Sequence, residues 1–119
     1  MLAARPLCLT RCAPQVLELD WSDAAALAAA PRAQLLLAAD VAYGMDDAAG
    51  ERGAAAAEAL ANALAVLSAP RAVVLIAQLL RPLHEETAAH AALCRRFRVE
   101  QLPPLDAAGL GIFRLHPLA

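Results

Sequence analysis

Apolar residues along this chain form two patterns, short continuous runs and longer stretches with helical spacing. Residues 35–39 form a continuous apolar run and residues 72–79 are apolar except for Gln78; such runs are typical of parallel strands covered on both faces. Residues 23–30 and 54–67 are rich in alanine, the strongest helix former, and the second stretch carries leucines at helical spacing. The alternation of the two patterns predicts βαβ units, and therefore an α/β fold.

Four further segments predict how the sheet begins and ends. Residues 15–19 predict a short first strand, and residues 83–97 have the spacing of a third helix. Residues 98–102 and 111–116 alternate apolar and polar positions and are joined by a turn-rich connection. Two such neighbouring strands favour antiparallel pairing. We therefore expect a mostly parallel sheet that ends in an antiparallel hairpin at one edge.

The length of 119 residues fits a single domain with a modest core. We expect an irregular or helical start over residues 1–14 and the order β-α-β-α-β-α-β-β over residues 15–117. Hydrophobic residues make up 61% of the chain but aromatic residues only 3%, so small side chains supply most of the apolar count. A core built this way predicts low stability.

The charge distribution excludes some classes of partner. All ten basic residues are arginine, they are scattered, and the net charge is -2, so the sequence predicts no nucleic-acid surface and no membrane surface. Apolar runs are far shorter than the roughly 18 residues of a spanning helix. We expect a cytoplasmic protein, with a nuclear pool or a weak transit peptide in residues 1–15 as alternatives.

The cysteines form an odd set of three without a CxxC pair, which favours a reducing compartment. His90 and Cys94 have helical spacing, but no further ligands follow at zinc-like spacing. We therefore predict ordinary packing for this pair and no metal site.

The candidate chemistry lies where the first two predicted strands end. Asp20 and Trp21 follow the first strand, and Asp40 and Tyr43 follow the second. The carboxyl ends of adjacent parallel strands meet at one rim, where open α/β sheets bind ligands. A carboxylate there accepts hydrogen bonds from a ribose or an amine, and an indole stacks on a purine.

Each of these residues also has a purely structural interpretation. Asp20 and Ser22 are typical helix-capping residues, and Trp21 can fill the space between helix and sheet. Asp40 fits a turn or cap, and Tyr43 fits an aromatic packed over the sheet edge.

Two motifs carry a resemblance to a known family. VLELDW at residues 16–21 and LLLAADVAY at residues 35–43 together resemble the family-16 methyltransferases, seven-β-strand enzymes that use S-adenosylmethionine and include many protein-lysine methyltransferases. RFRVEQLP and IFRLHP resemble the last two strands of that family, so the resemblance covers residues 15–117. It implies a partial Rossmann-like seven-strand methyltransferase sheet.

The resemblance also implies roles for the candidate residues. Trp21 would lie against the adenine of S-adenosylmethionine, with Asp20 beside it, and Ala39 would contact the cofactor at its strand end. Asp40 and Tyr43 match the acidic-x-x-aromatic motif that orients the target amine. The implied partner is a protein with a target lysine.

The chain departs from the family in what precedes Trp21. No GxG occurs before it, and the single GxG, at Gly109 and Gly111, has the context of a turn. We therefore expect the C-terminal part of a methyltransferase domain, with weak or absent cofactor binding and an exposed sheet edge that dimerises or binds a partner. A non-catalytic interaction module and an unrelated small α/β binding domain are the alternatives. Many relatives carry a basic pair just after the third apolar strand, whereas this chain has only Arg81 there, in AQLLRP. The identity of the substrate is therefore not predicted.

Overall fold

The computed structural model describes residues 13–42, 51–79, 87–103 and 110–118. Its elements are α1 (Ala24–Ala29), β1 (Ala33–Ala39), α2 (Glu51–Leu67), β2 (Ser68–Leu79), α3 (Ala88–Cys94), β3 (Phe97–Gln101) and β4 (Leu110–Pro117). The predicted α/β class is confirmed.

The four strands form one mixed sheet in the order β1-β2-β4-β3. β1 and β2 are parallel, whereas β4 is antiparallel to both β2 and β3. The predicted C-terminal hairpin is thus confirmed, but β4 lies between β2 and β3, which makes the sheet mixed rather than mostly parallel. As a result β1, β2 and β3 all run in the same direction and β4 runs against them.

The predicted first strand over residues 15–19 is wrong. Residues 13–20 have no regular secondary structure, and Val16 is 96% exposed. An extended segment becomes a strand only when its backbone pairs with a neighbour. The pairings between described strands involve β1 to β4 alone, so this segment has no such neighbour there. The described order therefore begins with α1 instead of a strand.

The core lies between one face of the sheet and the helices α2 and α3. Val74 and Ile76 of β2 and Leu115 of β4 are fully buried in a cluster that includes Leu60 of α2 and Leu93 of α3. Alanines on both helices belong to the same cluster, and their small size lets the helices approach the sheet closely.

The opposite face of the sheet is open at β1. Leu35 and Leu37 are 54% and 71% exposed. They pair with Val73 and Leu75 of β2, so they lie on the face of the sheet away from the buried Val74 and Ile76. The prediction that β1 is covered on both faces is therefore wrong. A continuous apolar run does not distinguish a doubly covered strand from one that leaves an apolar face exposed.

Helix ends follow their capping residues. Asp23 caps α1 because its carboxylate accepts a hydrogen bond from the Ala26 N–H at 3.0 Å, which agrees with the predicted helix start. α2 begins three residues before its predicted start, at Glu51. α3 begins at Ala88, so the prediction of one unbroken helix from residue 83 through Thr87 is wrong: Thr87 has an extended backbone, and its hydroxyl accepts from the His90 N–H. The predicted residues 83–86 lie outside the described ranges.

Candidate functional site

The carboxyl end of β1 contains a sharp change of backbone direction. Ala39 is the last residue of the strand, and Asp40 follows with a positive φ of 53°. Aspartate tolerates this left-handed conformation better than most residues, since its short polar side chain bonds locally. The Asp40 N–H still donates to the carbonyl oxygen of Ala77 on β2, at 2.9 Å, so the turn begins directly at the strand end.

Gln78 of β2 fixes the conformation of this turn. Its side chain is only 1% exposed, and its amide Nε2 donates to Asp40 Oδ1 at 3.0 Å. Its Oε1 accepts from the N–H of the buried Ala42 at 3.1 Å. One buried amide thus holds both the Asp40 carboxylate and the backbone two residues later. Sequence reasoning missed Gln78, although it is the one polar residue in the apolar run 72–79.

Trp21 lies beside this strand end. Its ring is half-buried against the core and borders a cavity of about 290 Å³. Ala39 and Val41 line the cavity from the β1 side, and Leu60 and Leu64 line it from α2. The fold therefore brings Trp21 and Ala39 to one apolar cavity, although they are far apart in sequence.

A second cavity, of about 480 Å³, also borders Trp21. Its walls come from the segment before α1 and from three alanines of α2: Leu19, Asp20, Ser22, Ala55, Ala56 and Ala59. Alanine side chains leave room beside the indole that larger residues would fill. Trp21 thus has accessible apolar space in both cavities.

The Asp20 carboxylate is held by its neighbour. The Ser22 hydroxyl donates to Asp20 Oδ1 at 2.6 Å and the Ser22 N–H donates to the same oxygen at 2.9 Å. These bonds, first the one from the hydroxyl, lower the pKa of Asp20, so it is ionised at neutral pH. The N-cap of α1 is Asp23, so Asp20 and Ser22 form a turn before the helix instead of capping it.

The candidate residues thus lie around Trp21 and the end of β1. Trp21 and Ala39 share a cavity, Asp20 borders the second cavity, and Asp40 directly follows Ala39. The predicted site residue Tyr43 lies outside the described residues. An indole with apolar walls suits a flat heteroaromatic ring, and fixed carboxylates suit an amine or a hydroxyl.

The described residues contain neither a metal-binding cluster nor a membrane-spanning helix. Within those ranges no three His, Cys, Asp or Glu side chains come together to hold a metal ion. Cys94 Sγ lies 3.5 Å from His90 Nε2, as helical spacing predicts. None of the helices in the described part of the chain has the length and apolar character needed to cross a membrane.

Comparison with known proteins identifies no family. No protein-family model matches the chain, and no curated protein matches it significantly.

Proposed function

We propose that this chain is an S-adenosylmethionine-dependent N-methyltransferase that acts on a lysine side chain of a protein substrate, in the cytoplasm. The main support is that Trp21 and Ala39 border one apolar cavity and that Asp40, with a fixed carboxylate, directly follows Ala39. The resemblance of residues 16–21 and 35–43 to the family-16 methyltransferases assigns the same three residues to cofactor and amine.

The cavity residues fit the adenosine part of the cofactor. The Trp21 ring offers a face for adenine, and the alanines of α2 leave room beside it. Asp20 is ionised, and its second oxygen, Oδ2, is available to accept from a ribose hydroxyl. Because no GxG precedes Trp21, the backbone contacts to the methionine part are missing from this set, and we expect weak binding.

S-adenosylmethionine, when bound, supplies a methyl group on a positively charged sulfur. Asp40 would accept a hydrogen bond from the lysine nitrogen and hold its lone pair in line with that methyl group. On transfer the neutral lysine nitrogen would gain the methyl group and a positive charge, the cofactor would be left as an uncharged thioether, and the nitrogen would lose a proton to solvent. The Asp40 carboxylate stabilises the nitrogen while its positive charge develops.

Gln78 has a positioning role in this proposal. Its hydrogen bond to Oδ1 leaves Oδ2 of Asp40 for the amine. The bond to the Ala42 N–H ties the same amide to the backbone, so the carboxylate keeps one orientation. Tyr43, by the resemblance, supplies an aromatic face for the same nitrogen.

Calorimetric titration of the full chain with S-adenosylmethionine tests the cofactor half of the proposal. We expect weak binding that Trp21→Ala abolishes, because the adenine loses its stacking face. Leu118→Ala is the control, since Leu118 is exposed and belongs to neither cavity beside Trp21. Absence of heat and of any thermal shift at millimolar cofactor would refute a catalytic role for this chain.

The exposed edge of β1 supports a second candidate, a non-catalytic module that pairs with a second copy of itself. Among the described strands, β1 pairs only with β2. The N–H and C=O groups of successive strand residues point alternately to the two sides of the strand. Because the Asp40 N–H points toward β2, the backbone groups of Leu35 and Leu37 point to the outer edge. Unpaired groups on an uncharged strand favour association.

The sequence of β1 is compatible with antiparallel pairing to itself. If a two-fold axis passes through the Leu36 pair, Leu35 of each copy lies opposite Leu37 of the other. Both of these leucine pairs lie on the open face of the sheet. No charged residue lies within Ala33–Ala39, so two copies meet without like-charge repulsion.

Sedimentation analysis distinguishes this module from the enzyme. We expect a dimer that Leu37→Lys dissociates and that Leu118→Lys, at an exposed leucine outside the sheet edge, leaves intact. A dimer without cofactor binding favours the module. A monomer at every concentration, or equal loss in both variants, would exclude self-pairing at β1.

A further inference from the structure

Three arginines converge at the rim of the sheet opposite Asp40. Arg32 directly precedes β1, Arg71 lies near the start of β2, and Arg96 directly precedes β3. Because β1, β2 and β3 run in the same direction, the starts of all three strands meet at one rim. The same tripeptide, Pro-Arg-Ala, occurs at residues 31–33 and 70–72, near the starts of the two parallel strands.

The three arginines border one cavity of about 400 Å³. Its other walls are mostly apolar and come from the end of α2, the start of β2, β3 and the end of β4: Ala65, Ser68, Ala69, Pro70, Phe97, Pro117 and Leu118. The Ser68 hydroxyl already donates to the Leu64 carbonyl oxygen. Among the side chains that line the cavity, the arginine guanidinium groups are therefore the donors that remain for a ligand.

A bulge in β2 carries Arg71 at this rim. Ala33 pairs with Ser68, but Leu35 pairs with Val73, so β2 contains extra residues between the two pairs. Within the bulge Arg71 has a positive φ of 63°. An arginine gains no local hydrogen bond from the left-handed conformation, unlike aspartate or asparagine, so its backbone is strained there.

The arginines are only partly neutralised by carboxylates. Arg96 Nη1 lies 2.9 Å from Glu58 Oε2, and Arg95 pairs with the other oxygen of the same carboxylate. No carboxylate in the described ranges forms a salt bridge with Arg32 or Arg71. The rim therefore carries an excess of positive charge around a cavity with apolar walls.

We propose that this cavity binds the phosphate group of a small organic phosphate monoester. Guanidinium groups form paired hydrogen bonds with phosphate oxygens. Arg32 and Arg71 supply such groups to the cavity, and Arg96, although paired with Glu58, adds positive charge beside them. The apolar walls receive the organic part of the ligand. This site is separate from the cavities beside Trp21 and does not depend on methyl transfer.

Phenyl phosphate and inorganic phosphate are suitable probes for calorimetry and thermal unfolding of the full chain. We expect both to bind and to raise the melting temperature, and phenyl phosphate to bind more tightly because its ring contacts the apolar walls. Sodium chloride at the same ionic strength measures the general salt effect. An equal shift with chloride, or no binding of phenyl phosphate, would overturn the proposal.

Variants of the arginines test the site itself. Arg71→Gly relieves the strained backbone, so we expect its unliganded melting temperature to stay equal or rise while its phenyl phosphate affinity falls about tenfold or more. Arg32→Gln should weaken binding similarly. Arg114→Gln is the matched control, because Arg114 is exposed on β4 and does not line the cavity. Unchanged affinity in Arg71→Gly, or equal loss in Arg114→Gln, contradicts the assignment.

Discussion

Gln78 allows the most direct test of how the strand end at Asp40 is held. Substitution of Gln78 by leucine keeps a side chain of similar size in the same buried position but removes both of its hydrogen bonds. The N–H of Ala42, which is fully buried, then has no acceptor from this side chain. An unpaired buried N–H costs about 1–3 kcal/mol.

The loss of the bond to Asp40 adds less, because that carboxylate is exposed and water replaces the amide. We therefore expect Gln78→Leu to lower the free energy of unfolding by about 2–3 kcal/mol. Urea unfolding measures this loss, and a shift of about 1 M or more in the midpoint is expected for a small domain. Hydrogen exchange provides a local readout, since the Ala42 amide should lose its protection.

Gln101→Leu is the matched control for this experiment. Gln101 lies exposed on β3, so the same chemical change there should alter stability by less than about 0.5 kcal/mol. Equal stability of Gln78→Leu and wild type, with Ala42 still protected from exchange, would refute the role of the buried amide. A large loss in both variants would show that leucine itself, rather than the missing bonds, destabilises the protein.

Three further predictions concern the site, a surface pair and a helix cap. Asp40→Asn should abolish methylation of a lysine peptide without weakening cofactor binding. The control is Glu18→Gln, at an exposed carboxylate that lines neither cavity beside Trp21, and it should retain both; activity in Asp40→Asn would contradict the proposed mechanism. The hydrogen bond from His116 lowers the pKa of Glu100. This pair therefore stabilises the fold at pH values above the usual pKa of glutamate, and its contribution is lost as the pH falls through the lowered pKa of Glu100. His116→Gln should accordingly lower the free energy of unfolding at neutral pH and match wild type in acid. NMR titration should show the Glu100 pKa rising in that variant, and an unchanged pKa would exclude the bond. Asp23→Ala should cost about 1 kcal/mol in urea unfolding, because α1 loses its N-cap, and equal stability would show that the cap contributes nothing.

Local patterns in the sequence predicted the elements whose formation depends on neighbouring residues. The apolar run 35–39 and the alanine-rich stretch 54–67 became β1 and α2 with small changes at their starts. The alternating segments 98–102 and 111–116 became β3 and β4, because a short hairpin pairs residues that are close in the chain.

Features that depend on distant residues could not be predicted in the same way. Residues 15–19 have the composition of a strand, but a strand needs a partner that composition does not specify. The hydrogen bond between Gln78 and Asp40 joins residues 38 positions apart, and it exists only because β1 and β2 pair in one register. The same pairing contains the bulge that carries Arg71, and Arg71 and Arg32 line one cavity at that rim.

The two strained residues of the described chain lie at opposite ends of the β1–β2 pair. Asp40 and Arg71 have φ values of 53° and 63°. Asp40 directly follows Ala39, which lines the cavity beside Trp21, and Arg71 lines the cavity bordered by the three arginines. A residue other than glycine in this region costs about 1–3 kcal/mol, a substantial share of the stability of a small domain. Glycine would form either turn without that cost. At Asp40 the tolerance of aspartate for this conformation and the hydrogen bond from Gln78 offset part of that cost. Arg71 has no such compensation, so the Arg71→Gly variant tests whether its side chain serves the proposed phosphate site.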